Sequence, residues 1–404
     1  MSALSGLVVV DLTRYLSGPT LTMMLADLGA DVIKVEALPA GDPARESGPF
    51  TDDGESVYFM ASNRNKRSIA VDLRDPEGIE IVRGLIDRAD VFVQNFRPGT
   101  ADAMGLDEET LRARNPGLIY VNISGFGMTP PGSGLPGFDQ TAQALSGLMS
   151  VTGTAETGPL RVGIALCDSA TGVFAAVGVL TALYARERTG IGTRVDASLM
   201  ESTLSLLSYQ AQKYLSLGIV PGQDGNDHPI MFPQGTFKTR GGAITLASGN
   251  EKMWRRLAGA IGMEELTEDP RFRDNAARMA NRTVLRGLIE EALQEDDAEN
   301  WMERIMAAGV PCSQVWDVGQ ALDSELTRSL GMVAEVTHAT LGPMSVLGQG
   351  VKVRGSDEDW LRSAPPLLGQ HSREIVESLG LSQTQISELF ARGAIQERLA
   401  STVR

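Results

Sequence analysis

Apolar and polar positions alternate in blocks along the first two hundred residues. Leu7 to Leu12 is an almost unbroken apolar run, the pattern of a strand buried on both faces. A turn follows, Pro19 suits the first position of a helix running to about Leu28, Gly29 stops it, and Asp31 to Glu36 is a second strand. The pattern repeats with strand Ser68 to Leu73, a helix opened by Asp75-Pro76 and carrying Ile79, Ile81, Val82 and Leu85, and strand Val91 to Asn95. Strands Leu118 to Ser124 and Arg194 to Leu199 continue it. This alternation predicts an α/β fold with a doubly wound, mostly parallel, Rossmann-like sheet.

From Leu217 to Gly235 the chain turns to Gly, Pro, Asn and Asp, the texture of a linker. A smaller α/β segment follows, with a strand at Ala243 to Ala247, a helix near Glu251 to Ile261, amphipathic helices between about Ala277 and Ala308, and a strand start at "GVPCSQV". From about Ser329 the chain becomes irregular, then ends in a short helical tail that has no core of its own and must dock elsewhere.

The 404 residues exceed what one core usually holds, which supports two lobes. A net charge of −15 opposes binding to nucleic acid or an anionic membrane surface. No uninterrupted apolar run reaches the roughly 20 residues that span a bilayer, and the amino terminus lacks a basic segment followed by an apolar core, so a cytoplasmic protein is expected. Cys167 and Cys312 make no CxxC pair and read as core thiols. His228, His338 and His371 are scattered, and GxSxG, GxxxxGK[ST] and HExxH are missing, which weakens hydrolase, phosphate-loop and zinc-protease readings; no metal is expected. The GxGxxG match "GSGLPG", Gly132 to Gly137, follows Pro130-Pro131 rather than a strand and reads as a loop.

One carboxylate stands out. In "IALCDSATGVFA", Asp168 separates an apolar stretch from a run of Ala, Val and Gly that reads as a buried helix to Arg188, stopped by Gly190. It falls at the helix amino terminus, where an Asp ordinarily serves as a cap. The same geometry, with backbone N–H groups and the helix dipole keeping it ionised, suits a nucleophile. Composition leaves both roles open.

The motifs "LSGLVVVDLTRYLSGPTLTMMLADLGADVIKVE", "NRNKRSIAVDL", "DVFVQNFRPG", "GFDQTAQALSG", "DSATG", "GTRVDASLMES" and "PPLLGQHSREIV" occur in one order along essentially the whole chain. In them the sequence resembles the class III CoA-transferases, the family of formyl-CoA and carnitine CoA-transferases, related to methylacyl-CoA racemases. The resemblance implies that Asp168 is the catalytic nucleophile, forming aspartyl anhydride and aspartyl-CoA thioester intermediates while coenzyme A, a co-substrate, moves from an acyl-CoA to a small carboxylic acid. A carboxylate already ionised at neutral pH needs no histidine base. The resemblance also implies coenzyme contacts at Arg14, Tyr15, Leu16 and Ser17, at Val71 and Arg74, and at Asn95, Phe96 and Arg97, with Arg74 and Arg97 suited to phosphate. Asp139 matches an acidic position near the active site, its plain alternative being a turn residue beside Gly137.

With the family's organisation the chain divides into the first part of a large CoA-binding domain at 1–204, a linker at 205–229, a small domain at 230–325, and a return linker with the end of the large domain at 326–404. Residues of the small lobe are expected to choose the acids, and an interlocked homodimer is expected. Ala103 stands where the family often has a basic residue, which leaves that phosphate contact open. Phe138 stands where the racemase branch has a histidine, against a two-base racemase. Ser47 and "SGNEKMW" differ from the oxalate-specific branch. A nucleotide-dependent dehydrogenase is the rival from pattern alone, but "TRYLSGPT" supplies one glycine where a pyrophosphate turn needs two or three.

Overall fold

The computed structural model describes residues 2–353 and 359–398, so the 326–404 segment is described apart from 354–358 and 399–404. The chain divides into two compact units, the first comprising 1–149, 161–220 and 328–404, the second 150–160 and 221–327.

The first unit is built on one sheet. Its strands are β1 (Val8–Leu12), β2 (Asp31–Ala37), β3 (Lys66–Val71), β4 (Val91–Gln94), β5 (Ile119–Ser124) and β6 (Arg194–Ser198), in the order β3-β2-β1-β4-β5-β6 and all parallel. The terminal strand Ile395–Gln396 adds antiparallel to β3. The apolar runs that mark the strands in sequence are covered on both faces. On one face, Val10, Ile33, Ile69 and Phe92 pack against α2 (Pro76–Ile86) and the tail residues Ile375, Val376, Ile386 and Leu389. On the other, Val9, Val32, Val91 and Val121 pack against α1 (Ser17–Asp27) and α4 (Leu166–Thr189). Asp75 caps α2 through the Glu77 and Gly78 N–H groups, with Pro76 in its first turn. The coreless tail thus docks on the large sheet, as a segment rich in Leu and Ile must.

The second unit has its own core: Phe232, Phe237, Ile244, Trp254, Leu257, Leu285, Ile289, Trp301 and Ile305 lie between three antiparallel strands and the helices 251–260, 282–293 and 298–307.

Several local expectations change. The segment at 205–229 contains the helix Ser208–Leu217, ended by Gly218 at φ 67°. The stretch after Ser329 holds a hairpin, Val333–His338 with Gly342–Leu347, whose strands alternate exposure too weakly to stand out in sequence. The helix α4 is 24 residues long and carries no charge between Asp168 and Arg186, so by length and composition it can cross a membrane; 44% of its most apolar window is nonetheless buried inside the protein. It is not buried all round, for Val173, Phe174, Val177 and Tyr184 are 41–68% exposed. Gly190 stops it in the left-handed region, φ 70°.

At the crossing of α1 and α4, a Cβ on Gly172 would stand 2.8 Å from Thr20 Cβ and 2.9 Å from the Ser17 carbonyl oxygen. Gly172→Ala is therefore expected to destabilise the protein by about 1–3 kcal/mol, read as a lower midpoint in denaturant unfolding; an unchanged midpoint contradicts this packing.

Candidate active site

Strand order reverses between β1 and β4, and in sheets of this kind the space outside the carboxyl ends of the strands at that point receives ligands. A cleft lies there. It is lined by Arg14, Tyr15 and Ser17 after β1, by Asn95, Phe96 and Arg97 after β4, by Ser124 to Gly127 and Leu135 to Phe138 after β5, and by Tyr58, Leu199 and Asp168. Gly125 and Gly137 pack backbone to backbone, and a Cβ on either would strike the other, which explains glycine in the motif "GFDQ". Tyr15 and Phe138 meet edge to face at 5.9 Å and form part of the wall.

Asp168 does not cap its helix, contrary to the ordinary role open in the sequence. The cap position is Ala165, the helix begins at Leu166, and Asp168 is its third residue. The capping oxygen comes from another helix, α3 (Asp139–Leu145): Asp139 Oδ1 accepts the N–H groups of Cys167 at 2.8 Å and Asp168 at 3.2 Å. Gln143 steadies this cap, donating to Asp139 Oδ2 at 2.6 Å and accepting the Val162 N–H at 2.8 Å. Asp139 is thus neither a turn residue nor a group lining the cleft. Its capping frees the Asp168 carboxylate for other chemistry.

Burial pushes Asp168 up to about 7, the negative charge of Asp139 adds to this, and a hydrogen bond from Ser17 opposes it. Desolvation thus works against the ionisation that the helix N–H groups and dipole favour. A carboxylate so raised is a stronger base and, once ionised, a better nucleophile than an exposed one. Burial also pushes the Tyr58 hydroxyl up to about 12, with Asp168 adding to the effect, so Tyr58 faces the cleft as a neutral donor.

Of the residues expected at the coenzyme, Arg14, Tyr15, Ser17, Asn95, Phe96 and Arg97 line the cleft together with Asp168. Leu16, Val71 and Arg74 do not. Val71 is fully buried in β3, and Arg74 points to solvent, 81% exposed, beside Asp72 at 3.1 Å. A smaller pocket next to the cleft shares Arg14 and Phe96 with it and is otherwise lined by Leu12, Val35, Ala37 and Leu73, among others. Among the described residues Arg14 and Arg97 enter no ion pair; the Arg14 guanidinium lies 4.8 Å over the Phe96 ring, and its Nε is buried without a partner. Ala103 is exposed at the end of a short helix. Tyr58, Leu135 and Pro136 have no signal in the sequence because no spacing ties them to Asp168; the tight Gly125–Gly137 contact is the nearest thing to one. Cys167 and Cys312 are both buried, with desolvation raising their thiols, which leaves them inert. Among the described residues no cluster of His, Cys, Asp and Glu is placed to hold a metal ion.

The sequence model described as CoA-transferase family III matches residues 4–372. The succinyl-CoA:glutarate CoA-transferase of Mus musculus is 37% identical over 398 residues, covering 98% of this chain and 91% of that protein. The acetyl-CoA:oxalate CoA-transferase of Acetobacter aceti is 39% identical over 366 residues, covering 90% and 92%. The crystal structure of a CaiB/BaiF family protein from Brucella suis is similar with a TM-score of 0.84 and 37% identity, covering 94% of this chain and 99% of that one. A match of this extent to an enzyme family, on a chain that sets a desolvated carboxylate at the ligand end of its sheet, makes the protein an enzyme that belongs to CoA-transferase family III.

Proposed function

We propose that Asp168 carries the acyl group and the coenzyme in turn. The observation behind this is a carboxylate relieved of capping by Asp139, desolvated, and facing a cleft with two arginines that form no ion pair among the described residues. An Asp168 oxygen attacks the thioester carbonyl carbon of the donor; the C–S bond breaks and the coenzyme leaves as thiolate, forming a mixed anhydride. The thiolate attacks the Asp168 carbonyl, releasing the donor acid and leaving an aspartyl-CoA thioester. The acceptor carboxylate attacks that thioester to form a second anhydride and thiolate, and the thiolate then takes the new acyl group, restoring Asp168. No net proton moves, so no histidine base is required. Covalent division lowers each barrier, and the apolar Tyr15–Phe138 wall limits water that would hydrolyse an anhydride.

Arg14 and Arg97, both at the cleft, suit the coenzyme phosphates. Similar proteins are named for glutarate, oxalate and mesaconate, which supports a small dicarboxylic acid as acceptor. Phe138, 60% exposed at the cleft, offers no second base for a racemase. The exposed apolar faces of α4 and of residues 204–220, including Leu215, Leu217 and Val220 at 68–74% exposure, support a homodimer that covers them.

Asp168→Ala is expected to lower thioester exchange at least about 10³-fold while the calorimetric Kd for coenzyme A stays within about three-fold; near-native exchange rejects the nucleophile. Intact-mass spectrometry during turnover should find acyl and CoA adducts on the Asp168 peptide.

Because only the ionised form attacks, kcat/KM should rise through an acid limb centred near pH 7. The same shift opposes folding. The unfolded carboxyl ionises from its ordinary 3.8, the folded one only near 7, so the cost grows between these values and is constant above them. Asp168→Asn should accordingly stabilise the protein by about 2–4 kcal/mol above pH 7 and hardly at all at pH 4; denaturant titrations at both pH values decide this.

Light scattering should return twice the 43.1 kDa chain mass at micromolar concentration, and a stable 43.1 kDa species contradicts the dimer.

A further inference from the structure

Beneath the cleft, on strands β1 to β3 and the turn that follows β2, Asp11, Lys34, Glu36, Asp42 and Lys66 are each at most 2% exposed. With the half-buried Arg45 they balance three carboxylates against three cations. Such a set stabilises little compared with apolar side chains of the same volume, so its presence calls for another reason.

The hydrogen bonds supply one. Together with Asn95 they hold both backbone polar groups of Thr13 and of Arg14, and the N–H of Tyr15, in the loop that follows β1. Asp11 Oδ1 accepts the Thr13 N–H at 2.9 Å and the Thr13 hydroxyl at 2.5 Å, while Asp11 Oδ2 pairs with Lys66 at 3.1 Å. Lys34 Nζ donates to the Thr13 carbonyl at 3.0 Å and pairs with Asp42 at 2.9 Å. Asn95 accepts the Arg14 N–H at 2.9 Å and donates to the Arg14 carbonyl at 2.8 Å. Asp42 Oδ1 accepts the Tyr15 N–H at 3.0 Å. Tyr15 needs this support, because at φ 66° it sits in the left-handed region that a bulky residue avoids. The next two residues are Leu16 and Ser17, and Ser17 opens α1 and bonds to Asp168.

Asp42 also reaches the other wall. The same Oδ1 accepts the Ala44 N–H at 2.9 Å, fixing the turn 43–46. The carbonyls of Ala44 and Ser47 in turn accept the Ser56 hydroxyl, at 2.8 and 2.5 Å, and Ser56 caps the short helix that carries Tyr58. Tyr15, Ser17 and Tyr58, three of the side chains lining the cleft with Asp168, therefore hang from one buried carboxylate.

We propose that Asp42, neutralised by Lys34, is a positioning residue for the transfer reaction: its side chain sets the Thr13–Ser17 loop and the Tyr58 helix against Asp168. This rests on Asp168 being the nucleophile. Removing either charge alone strands the other in the interior, so the test uses double variants of the full-length protein. Lys34→Met with Asp42→Asn removes both charges and keeps an oxygen for the Tyr15 N–H. Lys34→Met with Asp42→Leu removes that oxygen. The first should keep kcat within about five-fold of native. The second should lose at least about fifty-fold in kcat, with KM and the Kd for coenzyme A each changed less than about three-fold. The carboxyl titration of Asp168, followed by carbon NMR without substrate, should stay at its native midpoint in the first and move by about half a pH unit or more in the second, since Ser17 has shifted. Should the leucine variant fail to fold, Lys34→Met with Asp42→Ser replaces it, capping Ala44 N–H but falling short of Tyr15, and the same losses are expected. Equal kcat in the asparagine and acceptor-deficient variants, or an Asp168 midpoint unchanged in both, overturns the proposal. Failure of the nucleophile reading is distinct: it appears as exchange surviving Asp168→Ala, whereas the NMR midpoint reports loop placement without turnover.

Discussion

The mechanism proposed for this protein depends on keeping one carboxylate away from water without giving it structural work. Asp168 meets both conditions because Asp139 takes over the capping of α4. Had Asp168 capped its own helix, its oxygens would be committed to backbone N–H groups and its basicity lowered. Instead burial and the neighbouring negative charge raise it to about 7, and only Ser17 opposes them among the causes at work. In the proposed reaction, a carboxylate raised in this way is a strong nucleophile once ionised.

The sheet and its helices serve this placement. The close crossing of α1 and α4 at Gly172 brings Ser17, the first residue of one helix, to the carboxylate on the third residue of the other. The buried charges under the loop hold that same helix start from below. The apolar character of α4 has two consequences. Its inner face, with Ala175, Ala176, Val179 and Ala182, packs on the sheet, and its outer face remains uncovered in the single chain. That uncovered face is the observation on which the proposed homodimer rests.

The fold was largely legible from residue pattern. Strands β1, β2, β4 and β5 are covered on both faces, so their apolar residues run without alternation and their limits came within two residues of those observed. Asp75-Pro76 marked the start of α2 because a cap and a first-turn proline act locally. Signals failed where the determinant was distant. The hairpin at 333–347 has one weakly covered face. Arg74 stands in solvent beside Asp72 and outside the cleft lining, so its tie to the coenzyme rests on the resemblance alone.

Local periodicity carries the parallel α/β architecture, and motifs kept in order along the chain carry the family and single out Asp168 as the candidate nucleophile. Tertiary structure decided what that aspartate is. Its cap comes from 29 residues away, its desolvation from loops after three strands, and the support of the facing loop from Lys34 and Asp42, which nothing in the sequence singles out. Local propensity acts within a few residues along the chain, whereas burial and Coulomb interaction act through space, and only the folded chain fixes those distances.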